Sequence, residues 1–202
     1  MHSETREILI PHDPARGPLR AVRRMLIQSS VAELKQLGVY ERYRVGIAPA
    51  LLEQIMDQVG PGWLPVELAM EHYYACDALE LDPADIERLG AAAGENLART
   101  LLVSGSGSTP EGEASPWSAI GAFSRMGKRI YEGGSSQYVR LGPKQLQIEN
   151  IGNPLLSVRY YRVAHLAFLR RAFGTLGVKV TDAKITNFRP RGAMVEVRLT
   201  WA

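Results

Sequence analysis

A chain of 202 residues, 46% hydrophobic and 22% charged, has the composition of an ordinary globular protein and the length for one domain or two closely packed subdomains. Its one cysteine, Cys76, excludes an internal disulfide framework and suits a reducing compartment. The net charge of +3 is spread along the chain, and the densest basic run (Arg16, Arg20, Arg23, Arg24) carries no interleaved aromatics, so no nucleic-acid partner is expected.

The opening stretch MHSETREILIPHDP places charges where a signal peptide needs its apolar core. No apolar run approaches the ~18–20 residues of a membrane span. A cytoplasmic location is the expectation.

Residues 6–10 read as a short strand stopped by Pro11. Leu19, Val22, Leu26, Val31, Leu34 and Leu37 recur at helical spacing, predicting a helix over 19–37 that Gly38 ends. Residues 40–46 are ambiguous. Pro49 opens a helix through Leu51, Leu52, Ile55 and Met56, and Gly60-Pro61-Gly62 stop it. A further helix starts near Pro65, with Val66, Ala69, Met70, Tyr73, Cys76 and Leu79 on one face. Asp82, Pro83 and Asp85 then form a strong helix start, followed by the face Ile86, Leu89, Gly90, Ala93, Leu97 and Leu101. Gly90 and Gly94 lie one turn apart, each weakening the helix by about 1 kcal/mol relative to Ala. Close approach of another element is the expected reason.

Residues 104–115 read as a flexible low-complexity connection. Pro116 opens a helix through Trp117, Ile120, Phe123 and Ile130, stopped by Gly133-Gly134. The period then falls from 3.6 to 2, with a hairpin around Gly142-Pro143. Asn153-Pro154 open what reads as the longest helix, ending near Gly177. Strands at about 179–188 and 193–201 close the chain. In the last of them Val195, Val197, Leu199 and Trp201 alternate with polar residues, giving one dry face and one wet one. The fold class is thus α+β: a helical N-terminal part (1–104), a linker (105–114), and a β-β-α-β-β antiparallel-sheet part (115–202), expected to pack as one compact domain.

No catalytic motif is assembled, and an enzyme is the less favoured reading. GSGS at 105–108 lacks the Lys-Ser/Thr of a phosphate loop, and no G-x-S-x-G elbow is present. His72 and Cys76, four apart on one helix face, are candidates for a nucleophilic dyad or a metal site, with simple packing as the competing explanation. The four ligands of a structural zinc site are lacking, so no metal is assigned. His165 falls in an apolar arc with Tyr161 and Phe168, where a neutral imidazole can meet a ligand or haem, or serve as a core histidine. Arg159, Arg162 and Arg170 form a stripe suited to a carboxylate or phosphate, or to ion pairs. Trp117 and Tyr73 complete the candidate ligand-binding set (His165, Tyr161, Phe168, Arg159, Arg162, Trp117, Tyr73).

The segments SPWSAIGAFSRMGKRIYEGG, SQYVRLG, QLQIENIG and AMVEVRLTWA, with WLPVELAMEHYYACDALEL before them, carry a resemblance. The chain resembles a bacterial group, frequent in myxobacteria, that is distantly similar to four-vinyl-reductase domains, haem nitric-oxide-binding domains and TRAPP vesicle-tethering subunits. The resemblance covers about 130 residues, mostly as hydrophobic periodicity and glycine placement. It implies a helical part packed on an α/β part with a ligand cavity between them, and members that bind haem, small aromatic or lipid-like groups, or other proteins. The haem branch carries its proximal histidine on a helix matching about 115–131 here, where no histidine stands. Its Tyr-x-Ser-x-Arg motif survives only in part, as Leu155, Ser157 and Arg159. The expectation is therefore a non-enzymatic binding module that senses a small apolar or amphipathic ligand or acts as a protein-interaction platform, with no cofactor assigned and a homodimer as one form. The alternative is a haem- or metal-binding protein or enzyme using His72/Cys76 or His165.

Overall fold

In the computed structural model, which describes residues 6–56, 62–104, 116–189 and 194–202, the alternating segments of the second half pair as expected. Strands β5 (Ser135–Gly142) and β6 (Gln145–Ile151) form the hairpin around Gly142-Pro143, and β7 (Val180–Arg189) and β8 (Met194–Trp201) form a second. Strand β6 pairs with β8, setting Leu146 opposite Leu199 and Ile148 opposite Val197. Period-two alternation puts these four on one face, and all are buried. The first strand, β1 (Glu7–Ile10), adds to the edge at β5, giving a five-stranded antiparallel sheet in the order β1-β5-β6-β8-β7. The class is α+β, as the residues predict.

The helices are α1 (Arg24–Gln36), α2 (Tyr40–Gly46), α3 (Pro49–Met56), α4 (Val66–Asp77), α5 (Pro83–Ser104), α6 (Pro116–Ile130) and α7 (Arg159–Thr175). None among the described residues is long and apolar enough to cross a membrane. The ambiguous stretch 40–46 is helical, and it buries Tyr43.

Three expectations need correction. The helix expected from residue 19 begins at Arg24, because Ala21–Arg23 are strand β2, paired on one side with β3 (Trp63–Pro65) and on the other with β4 (Tyr131–Glu132). The segment opening at Asn153-Pro154 is a 3-10 turn over Pro154–Ser157, extended at Val158, and only then α7. The longest helix is accordingly α5, not α7. The break at Val158 has a non-local cause. The Tyr160 amide donates to Asp77 Oδ1 at 2.9 Å, so the last residue of α4 caps the start of α7. The linker expected over 105–114 lies outside the described residues.

The small sheet draws the N-terminal segment against the end of α6. The strap before β2 adds to this: Leu19 N donates to Gly152 O (2.7 Å), Arg20 N to Glu132 O (2.8 Å) and Gly134 N to Gly17 O (3.0 Å). Gly133 makes room for it, since a Cβ there would sit 2.1 Å from the Pro18 carbonyl oxygen.

Helix α5 lies directly on α7. A Cβ on Gly90 would stand 2.2 Å from the Ala164 carbonyl oxygen, and one on Gly94 would stand 2.7 Å from that of Phe168. Both distances are shorter than real Cβ contacts, and backbone cannot swing aside as a side chain does. Gly90→Ala therefore forces the helices apart, at about 1–3 kcal/mol, against a propensity gain of about 1 kcal/mol. Gly174→Ala in α7 meets nothing within 4 Å and keeps the propensity gain. Urea unfolding should show Gly90→Ala less stable than the parent and Gly174→Ala equally or more stable.

Candidate functional site

Helix α7 carries Tyr161, His165 and Phe168 at four- and three-residue intervals, which stacks the three side chains on one face. The His165 ring lies nearly parallel to both neighbours, with centroids 5.5 Å from Tyr161 and 6.1 Å from Phe168. Tyr73 of α4 meets Tyr161 edge-on at 4.8 Å. These four of the expected ligand-binding residues thus come together.

They border a cavity of ≈ 40 Å³, whose wall also includes Leu26, Ser30, Leu89, Gly90 and Ala93. A second cavity, of ≈ 90 Å³, lies toward the strap and the β5–β6 hairpin, bordered by Asp13, Arg16, Lys128, Ser136 and Asn150. The inner space is bounded mostly by rings and aliphatic carbon, with Ser30 among them, and the outer one by a mixture of polar and apolar groups. Tyr131 and His165 line both cavities and divide them. Tyr131 is held there by a 2.7 Å hydrogen bond between its hydroxyl and that of Tyr161.

His165 is 8% exposed, and its Nε2 has no hydrogen-bond partner among the described residues. Burial lowers its pKa from 6.5 to about 4, so the ring is neutral near pH 7. Asn150 shows a similar deficit at the outer cavity. Its Oδ1 accepts from Ser136 Oγ at 3.0 Å, while its buried Nδ2 is unpartnered. Native proteins rarely leave buried polar atoms unpaired. Both atoms belong to residues that line the outer cavity.

The other candidate histidine differs in this respect. His72, fully buried in α4, is 2.8 Å through Nδ1 from the Tyr43 hydroxyl and 3.1 Å through Nε2 from Ser30 Oγ. Cys76 Sγ lies 3.6 Å from the same Nε2. Burial lowers the His72 pKa to about 3 and raises that of the Cys76 thiol. The pair therefore holds a neutral imidazole and a protonated thiol, without the thiolate that nucleophilic attack or metal ligation requires. No group of three or more His, Cys, Asp or Glu side chains placed to hold a metal ion occurs among the described residues.

Trp117, Arg159 and Arg162 line neither cavity. Trp117 packs edge-on against Trp201 at 4.8 Å, beneath the Arg140 guanidinium. Arg159 stands 3.9 Å from Asp77, and Arg162 donates to the carbonyls of Leu156 and Ser157 at 2.9 and 2.6 Å. The residues that sequence reasoning missed are Tyr131 and Asn150. For Asn150 a signal exists: it continues the dry-face series Leu146, Ile148 of β6, where period two places a polar side chain on a buried surface.

A haem does not fit these cavities as they stand. Sites for ligands of that class run to about 300–1,000 Å³, and here Tyr73, Tyr161 and Phe168 fill the space while α5 closes on α7.

The fold is similar to that of an oxygen-binding H-NOX domain related to soluble guanylate cyclases, solved as its oxygen complex. The TM-score is 0.56 over 88% of this chain and 93% of that one, at 6% sequence identity. At that identity the likeness is one of fold. No protein-family model and no curated protein sequence matches the chain.

Both buried histidines act on stability in one direction. A folded state that keeps them neutral binds fewer protons than the unfolded chain below the ordinary pKa of 6.5. Stability is therefore lost as pH falls from about 6.5 toward 4, at up to about 1.4 kcal/mol per pH unit for each ring. Urea midpoints across that range should decline less steeply in His165→Phe than in the parent, by about one histidine's share.

Proposed function

We propose that this chain is a non-enzymatic sensing module for a small apolar or amphipathic molecule, received where α7 faces the outer cavity on one side and the inner one on the other. The observation that carries the reading is His165: a neutral, buried imidazole whose Nε2 has no partner among the described residues, standing in the partition between a space of mixed lining and an apolar one. A core histidine that serves packing alone is expected to spend both nitrogens, as His72 does. The likeness of fold to a domain that binds oxygen supports a sensory role.

The dimensions restrict the ligand. A cavity of ~150 Å³ lined by apolar side chains takes benzene or xenon, and the two spaces here are smaller, at ≈ 90 and ≈ 40 Å³. A molecule of a few heavy atoms suits them. Ligand binding is expected to displace Tyr131 or His165 and so to be felt by β4 and α7, the elements that carry them. The tight contact of α5 with α7 makes the inner wall a poor place for expansion.

A thermal-shift screen of short alcohols, short-chain acids and dissolved xenon tests this directly. Ligand at 100 times its dissociation constant should add about 2.7 kcal/mol of stability, and His165→Phe should lose most of the response to polar members while keeping its fold. A screen in which no compound raises the melting temperature would sink the sensing role.

A further inference from the structure

The outer cavity carries chemistry that the sensing role does not by itself specify. Its charged lining consists of Arg16, Lys128 and Asp13. Arg16 is committed, donating to the carbonyls of Gly134, Tyr131 and Gly133 at 2.7, 2.8 and 3.0 Å. These bonds keep its positive charge at the cavity wall. Asp13 Oδ1 accepts from Ala15 N at 3.1 Å, capping the short turn at Pro14–Arg16. Lys128, on the last turn of α6, presents an exposed ammonium. Two cations against one carboxylate leave the space electropositive.

Asn150 supplies the specific contact. With its Oδ1 accepting from Ser136 Oγ, its Nδ2 is a donor without an acceptor among the described residues. The side chain is 8% exposed. A buried donor without a partner is costly to leave unmet, which favours a ligand that brings an acceptor. His165, lining the same cavity, is held neutral by burial and so repels neither sign of charge.

We infer that the outer cavity is a binding site for a small monocarboxylate, its oxygens received by Asn150 Nδ2 under the field of Lys128 and Arg16 and its short apolar end directed at Tyr131 and His165. The inference rests on the sensing reading and narrows it to one chemical class. A carboxylate satisfies the amide donor and the electropositive wall together, whereas a neutral acceptor satisfies only the first. A volume of ≈ 90 Å³ limits the chain to a few carbons.

The test is an amide NMR titration of the full chain with acetate, propionate and butyrate, with acetamide and chloride as controls. The Asn150 side-chain NH2 signal, assigned through its loss in Asn150→Leu, should shift saturably with the carboxylates and not with chloride. Lys128→Gln changes an exposed side chain and should leave the fold intact while weakening binding about fivefold. Asn150→Leu should abolish the saturable shifts that carboxylates cause in the backbone amides of the cavity residues Tyr131 and Ser136, with those signals otherwise retained. Carboxylates that produce no saturable shift overturn the inference. So does acetamide binding as tightly as acetate with no effect of Lys128→Gln, which would make the site a neutral-acceptor or water site. In either case, xenon or alcohols that still stabilise the protein leave the sensing role standing, so the two failures are told apart.

Discussion

The whole arrangement depends on how closely α5 can approach α7. Helices normally pack about 8–10 Å apart, their separation set by the side chains between them. At Gly90 and Gly94 there are none, and the α5 backbone rests on the carbonyls of Ala164 and Phe168. The contact fixes α7 from the outside while the five-stranded sheet fixes it from within. Asp77 holds its first turn through the Tyr160 amide. A helix constrained at three places has little freedom to rotate, and the stack Tyr161, His165, Phe168 is therefore presented in one orientation.

That rigidity gives the two histidines their different meanings. His72 and His165 are both buried and both neutral, and burial is the cause of the shift in each. They differ in what surrounds the nitrogens. Ser30 and Tyr43 close the His72 ring into a satisfied network, with Cys76 Sγ 3.6 Å from its Nε2. The ring of His165 stacks between Tyr161 and Phe168, and its Nε2 is buried without a partner among the described residues.

Much of this was legible in the residues, and the exceptions share a cause. The sheet hairpins, α3 to α6 and the close approach at Gly90 and Gly94 follow from local periodicity and from the cost of glycine in a helix. Strands β2, β3 and β4 are only two or three residues long. No alternation can be seen over so short a span, and their pairing joins residues far apart in sequence. The break at Val158 was hidden for the same reason, since Asp77 acts from α4. His165 was found because an imidazole in an apolar arc stands out. Its companion Asn150 was readable as a polar residue on the dry face of β6, but the space it faces is created by the strap at residues 16–20, which no local pattern announces. Trp117 shows the converse: its helical face was read correctly as apolar, yet the face points to Trp201 rather than to a cavity.

The cavities lie where segments from the two ends of the chain meet, and this follows from how that seam is held. Strand β1 extends the C-terminal sheet, β2 pairs with β4, and the strap bonds to Gly134, Glu132 and Gly152. These joints are backbone hydrogen bonds, which fix spacing without filling volume. Side chains fill the rest of the interior, as the stacked Phe123 and Phe173 do at 4.8 Å. At the seam the backbone ladders hold the walls apart at a distance that Tyr131 and His165 only partly bridge, so space persists on both sides of them. A space of mixed polar and apolar lining outside and a mostly apolar one inside are then the direct result of which elements face each side: loops and strand edges toward the strap, helix faces toward α5.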